Sequence, residues 1–165
     1  MLVKSAKAVG VDLLVWSGLE SVAEISGGKY TLADHFEAKA AVTEYARKSG
    51  VPFITVQAGF YASNFQGAFR PIKQADGSYA ISVPFNTNAP IPVVDMQDYG
   101  LFVRAAIESP AIGPGAELLT CGELISVRDC VSQLAESTRI ALAHRFLVLA
   151  LTDIRHSHWQ KNQLC

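Results

Sequence analysis

Two runs of β-forming residues, 11–16 (VDLLVW) and Phe53–Ala58 (FITVQA), are each preceded by a helix-forming stretch. This alternation constrains the fold more than any other feature. Short apolar runs bounded by turn residues predict strands covered on both faces. Two helix-then-strand units in series predict parallel strands joined by crossover helices, because a tight hairpin cannot join a parallel pair. The expected class is therefore α/β. Leu2–Val9 reads as the first helix, with Gly10 as its stop. Asp34–Ser49 reads as the second, with Asp34 as N-cap and Gly50 ending it. Around it Ala38, Ala41, Val42 and Tyr45 form one stripe, and Glu37, Glu44, Arg47 and Lys48 fall opposite. His35 and Lys39, four apart, share a face beside that stripe.

After residue 63 the alternation loosens. Asp76-Gly77 marks a hairpin between Ile72–Lys73 and residues 79–83. Pro90 and Pro92 hold residues 91–94 extended. A helix is expected over 97–108 and a strand over Glu117–Thr120. Ser126 caps a helix to about 137, with Asp129 completing a capping box. Three regions follow: 1–63, the later part of a sheet domain; 64–137, a lobe with elements returning to the sheet; and 138–165, a tail of different character.

Half of the 165 residues are hydrophobic and 18% are charged, which excludes a disordered chain. The net charge of −1 offers no basic excess for a phosphate backbone, so direct nucleic-acid binding is not expected. Cys121, Cys130 and Cys165 are odd in number and widely spaced, without a C-x-x-C, so neither a disulfide framework nor a zinc site is expected. That usage fits a reduced, cytosolic setting. Lys4, Lys7 and Asp12 interrupt any signal-like apolar run, and the uninterrupted residues 146–151 are too few to span a membrane. His144, His156 and His158 have no acidic or cysteine partner at ligand spacing, so no metal is expected.

Ser17 directly follows the first strand. In an open α/β sheet, ligands sit in the crevice outside the carboxyl ends of the strands. Ser17 and the segment Ala58, Gly59, Phe60, Tyr61 would meet there if the two strands are parallel. An ordinary strand-to-loop transition uses the same residue types. Asn64 suits either a ligand contact or a helix cap. Phe65, Phe69 and Tyr79 suit either an apolar pocket or simple packing. Asp95 and Asp98 complement a helix dipole. No G-x-G-x-x-G turn occurs in the sequence.

The run His35-Phe36-Glu37-Ala38-Lys39, followed by Val42, Tyr45, Ser49-Gly50-Val51-Pro52, Ala58-Gly59-Phe60-Tyr61 and Asn64, resembles the NmrA-like family. These are atypical members of the short-chain dehydrogenase/reductase superfamily. VDLLVWSGLE, the Asp76-Gly77 turn, Ile91-Pro92-Val93-Val94-Asp95 and Asp98-Tyr99-Gly100 match in order, so the resemblance covers roughly residues 2–137. It implies a partial Rossmann-like parallel sheet carrying the later strands, with a small α+β C-terminal lobe and the glycine-rich N-terminal half absent.

The resemblance also implies NADP as cofactor. Lys39 matches the superfamily's lysine and Ser17 its serine, while His35 stands where the superfamily has tyrosine; these are the candidate catalytic residues. Lys39, Ala58, Gly59, Phe60 and Tyr61 would bind cofactor, and Tyr61, Asn64 and Phe65 substrate. The expected function is an NAD(P)-binding protein of oxidoreductase ancestry, in a truncated form with weakened or lost cofactor binding. The alternative is a non-enzymatic NADP-linked redox sensor or transcription-regulator-binding protein. It is favoured by His35, since an imidazole ordinarily titrates near 6.5 and a phenol near 10. Expected partners are a small-molecule substrate, a regulatory protein, and a second copy at an exposed sheet edge. The expected location is the cytoplasm, with the nucleus as a second compartment.

Overall fold

The computed structural model describes residues 2–138 and 163–164. In chain order the elements are α1 (Leu2–Val9), β1 (Leu14–Gly18), α2 (Val22–Ile25), α3 (Asp34–Ser49), β2 (Phe53–Ala58), β3 (Phe60–Tyr61), a 3-10 turn (Ala62–Phe65), β4 (Ile72–Lys73), β5 (Tyr79–Ala80), β6 (Pro90–Val94), α4 (Met96–Glu108), β7 (Glu117–Thr120), β8 (Glu123–Ser126), α5 (Val127–Thr138) and β9 (Gln163–Leu164). The described residues divide into two compact units, the first holding 2–58, 97–120 and 163–164, the second 59–96 and 121–138.

In the first unit the sheet order is β1-β2-β7-β9, and every pairing is parallel. Leu14 pairs with Phe53, Gly18 with Gln57, and Thr55 with Glu117. Strand alternation sends Leu14 and Phe53 to one face, where they pack with Val3 and Ala6 of α1 and Val42 and Ala46 of α3. Val15, Ile54, Val56 and Leu118 occupy the other face with Val103 and Ala106 of α4. Ile54 and Val56 are 1% and 0% exposed. Burial of this kind contributes about 1.5–3 kcal/mol per side chain. The apolar runs are thus explained by helices on both faces. Both crossovers, β1 to β2 and β2 to β7, advance the same way across the sheet. Their helices α3 and α4 lie on opposite faces, so the two connections have opposite hands. The second departs from a simple βαβ unit, in which the right hand dominates, because β3 to β6 intervene.

Three local expectations change. The first strand begins at Leu14 and includes Ser17 and Gly18. Asp34 does not cap α3: Ala33 holds that position and makes no side-chain cap bond, so Asp34 and Glu37 act in the first turn, where acids suit the dipole. The inward stripe of α3 is rotated. Thr43 and Ala46 are buried, while Tyr45 is 46% exposed. Gly50 ends the helix at φ 77°, a left-handed conformation that disfavours other residues.

In the second unit β3 pairs parallel with β6, and β6 antiparallel with β8. The β4–β5 hairpin forms as expected, with Gly77 at φ 83°. Phe65, Ile81, Val83, Ile125, Val127 and Val131 form the core. The Ser126–Asp129 capping box forms: the Asp129 N–H donates to Ser126 Oγ, whose hydroxyl donates to Asp129 Oδ2. Cys130 is free and buried, and burial pushes its thiol upward, helped by the charges of Glu123 and Asp129. His144, His156 and His158 lie outside the described residues. Among the described residues no helix is long and apolar enough to cross a membrane.

Candidate functional site

The carboxyl end of β1 is where three elements of the first unit converge. Ser17 is exposed on its last turn outward, and Gly18 behind it is buried. The rotated stripe of α3 brings Lys39 inward. Its ammonium donates to the Ser17 carbonyl oxygen at 2.9 Å and lies 5.9 Å from the centre of the Trp16 ring. The bond and the ring face together give a flexible lysine a defined position.

Tyr99, near the start of α4, reaches the same serine from the opposite face of the sheet. Its hydroxyl lies 3.0 Å from both Ser17 Oγ and the Val56 carbonyl oxygen. A phenol has one proton and a carbonyl can only accept. Tyr99 therefore donates to Val56, and the Ser17 hydroxyl donates to Tyr99. Ser17 is thereby held twice, through its carbonyl by Lys39 and through its hydroxyl by Tyr99. Sequence reasoning placed Tyr99 only at a helix start. The pairing spans 82 residues, and no spacing rule reports it.

A second set of bonds ties the loop after β1 to α3. The Ala23 N–H donates to Glu37 Oε1 at 2.9 Å, and the Ser21 hydroxyl to Oε2 at 2.8 Å. These two donors hold the Glu37 carboxyl below its ordinary 4.5. Ser21 Oγ also accepts from the Glu24 N–H and so caps α2.

His35 is exposed, its ring 4.5 Å from that of Phe36. Ala58 ends β2 opposite Thr120 of β7. The remaining residues singled out in the sequence belong to the second unit. Phe60 and Tyr61 form β3, pairing with Val93 and Val94. Gly59 opens that unit. Phe65 is 7% exposed, and its ring lies 5.4 Å from Phe60, which also meets Phe69 and Phe85. Phe65 and Phe69 thus pack a core. The Asn64 carbonyl accepts from Gly67 and Phe69 N–H groups in the turn that follows. Among the described residues, no group of three or more histidine, cysteine or acidic side chains could hold a metal.

A family model described as the NmrA-like family matches residues 1–147. Solved structures agree in fold. NmrA, a negative transcriptional regulator in complex with NADP, is 21% identical with a TM-score of 0.74, over 87% of this chain and 46% of that one. A trigonal form of NmrA with NAD is 20% identical with a TM-score of 0.76, over 93% and 50%. An isoflavone reductase is 17% identical with a TM-score of 0.66, over 90% and 49%. The chain spans about half the length of the solved structures it matches.

Proposed function

The chain belongs to the NmrA-like family, and from that membership we propose that it binds NADP(H) weakly, through a nicotinamide-side half-site centred on Lys39. The observation that carries this reading is the 2.9 Å bond between Lys39 and the Ser17 carbonyl. It holds a cation at the carboxyl end of a parallel strand, where an open α/β sheet receives its ligand. The ammonium has three N–H donors and Ser17 uses one. The others suit ribose hydroxyls, so the residues present fit this part of the cofactor. Ser17 Oγ, whose proton goes to Tyr99, accepts from the N–H of a bound carboxamide, and Ala58, Gly59, Phe60 and Tyr61 follow the next strand end in sequence. When bound, the nicotinamide supplies hydride chemistry. Binding is weak because these 165 residues contain no glycine-rich turn to cradle the pyrophosphate. Calorimetric titration with NADPH is expected to give a saturable heat that Lys39→Ala removes. No heat, with no amide protection in α3, would overturn the reading.

A second reading within the family is a non-enzymatic NADP-linked sensor that binds a regulatory protein in the cytoplasm. It is favoured by His35, whose ring lies against Phe36, and by the likeness to a negative transcriptional regulator. NADPH-dependent turnover of a simple quinone or aldehyde, lost in Lys39→Ala, would count against it. β1 is the edge strand of its sheet among the described residues. An open edge favours strand pairing with a second copy, which light scattering across a concentration series tests.

A further inference from the structure

A cavity of about 490 Å³ opens in the first unit between the loop after β1, α2, α3 and the β2–β7 pair. Neither Ser17, His35 nor Lys39 lines it. Its walls carry the acids Glu20, Glu24, Glu44 and Glu117 and the cation Arg47. Arg47 bridges Glu44 and Glu117, and Lys48 pairs with Glu44 at 3.3 Å, so that wall is balanced by its own cations. Glu20 and Glu24 stand on the other. Between them lies Gln57, on β2.

Gln57 is the independent observation. It is 6% exposed, lines the cavity, and its carboxamide makes no hydrogen bond among the described residues. Among the described residues, the buried side-chain atoms left without a partner are Trp16 Nε1 and Thr55 Oγ1, so the Gln57 carboxamide is open to the cavity and can hydrogen-bond a group placed there. Thr43 is equally buried beside it. Its hydroxyl proton goes to the Lys39 carbonyl, which leaves the Thr43 oxygen able to accept. The deep end therefore offers an amide oxygen and a hydroxyl oxygen, and the rim offers carboxylates. Acceptors at both depths recognise a donor-only cation.

We propose that this cavity binds a small organic cation bearing primary amines, with one ammonium at Gln57 and Thr43 and another facing Glu24. The site is separate from the NADP half-site and does not rest on it. Spermidine serves as the probe, titrated into the 165-residue chain at low ionic strength and followed by NMR and calorimetry. The expected result is saturable binding that shifts the Gln57 side-chain amide resonances. Gln57→Leu should weaken it about tenfold, the worth of one hydrogen bond to a charged group. Glu24→Gln, at an exposed position, should weaken it about threefold. Raising salt from about 20 to about 200 mM should weaken it further. Circular dichroism confirms that each variant is folded, and NADPH titration in parallel reports the other site separately. No saturable binding up to about 10 mM, or an affinity unchanged in both variants, would overturn the proposal.

Discussion

Lys39 donates to the carbonyl oxygen of Ser17 at 2.9 Å, across 22 residues of sequence. The bond exists because α3 turns Lys39, Thr43 and Ala46 toward the sheet and leaves Tyr45 outside. Lys39→Ala removes one partly solvated charge-assisted bond, which is worth about 1 kcal/mol of stability or less. Its effect on NADPH binding should be much larger. Thermal melts and calorimetry on the same sample separate the two effects.

Tyr99→Phe deletes the hydroxyl that joins Ser17 Oγ to the Val56 carbonyl. The expected cost is about 0.5–1.5 kcal/mol by urea denaturation. The Ser17 hydroxyl is released at the same time, so its backbone amide resonance should move while those of α3 stay in place.

Gly18 has no room for a side chain. A Cβ there would lie 2.3 Å from Thr55 Cγ2 and 3.2 Å from Thr43 Oγ1. Thr55 is fully buried and β-branched, so it cannot swing away. Gly18→Ala should cost about 1–3 kcal/mol. Thr55→Ser, which removes the clashing methyl, should recover part of that loss in the double variant. Additive costs would show that the clash is relieved elsewhere.

Thr55 Oγ1 and Trp16 Nε1 are buried without a hydrogen-bond partner among the described residues. Thr55→Val keeps the shape and removes the unmet hydroxyl. It should stabilise the protein by about 1 kcal/mol, seen as a melting temperature a few degrees higher.

Glu37 links acid stability to the loop after β1. Its folded pKa lies below 4.5 because the Ala23 N–H and the Ser21 hydroxyl both favour the carboxylate. The stabilisation is complete above the unfolded value and is lost as pH falls through the lowered folded value. Melting temperature between about pH 6 and about pH 3 should therefore drop more steeply in the parent than in Glu37→Gln. Parallel curves would show that the two bonds do not contribute.

Much of the α/β framework is legible from local chemistry. The apolar runs before Gly18 and over Phe53–Ala58, the stops at Gly10 and Gly50, the Asp76-Gly77 hairpin and the Ser126 capping box each depend on residues within one turn or one strand. Such interactions are short-ranged, and their patterns are written in consecutive residues. What tertiary structure decided is of another kind. Apolarity does not decide the facing of α3, because Ala38, Ala41 and Tyr45 are no less apolar than Thr43, which lies against Gly18. The Tyr99–Ser17 bond, the placing of Gln57 beside Thr43 at the cavity and the clustering of Glu24, Arg47 and Glu117 join residues that lie far apart in the chain. A helix's own periodicity cannot choose between two similar stripes. The strand beneath it makes that choice, by shape, and with it the inward position of Lys39.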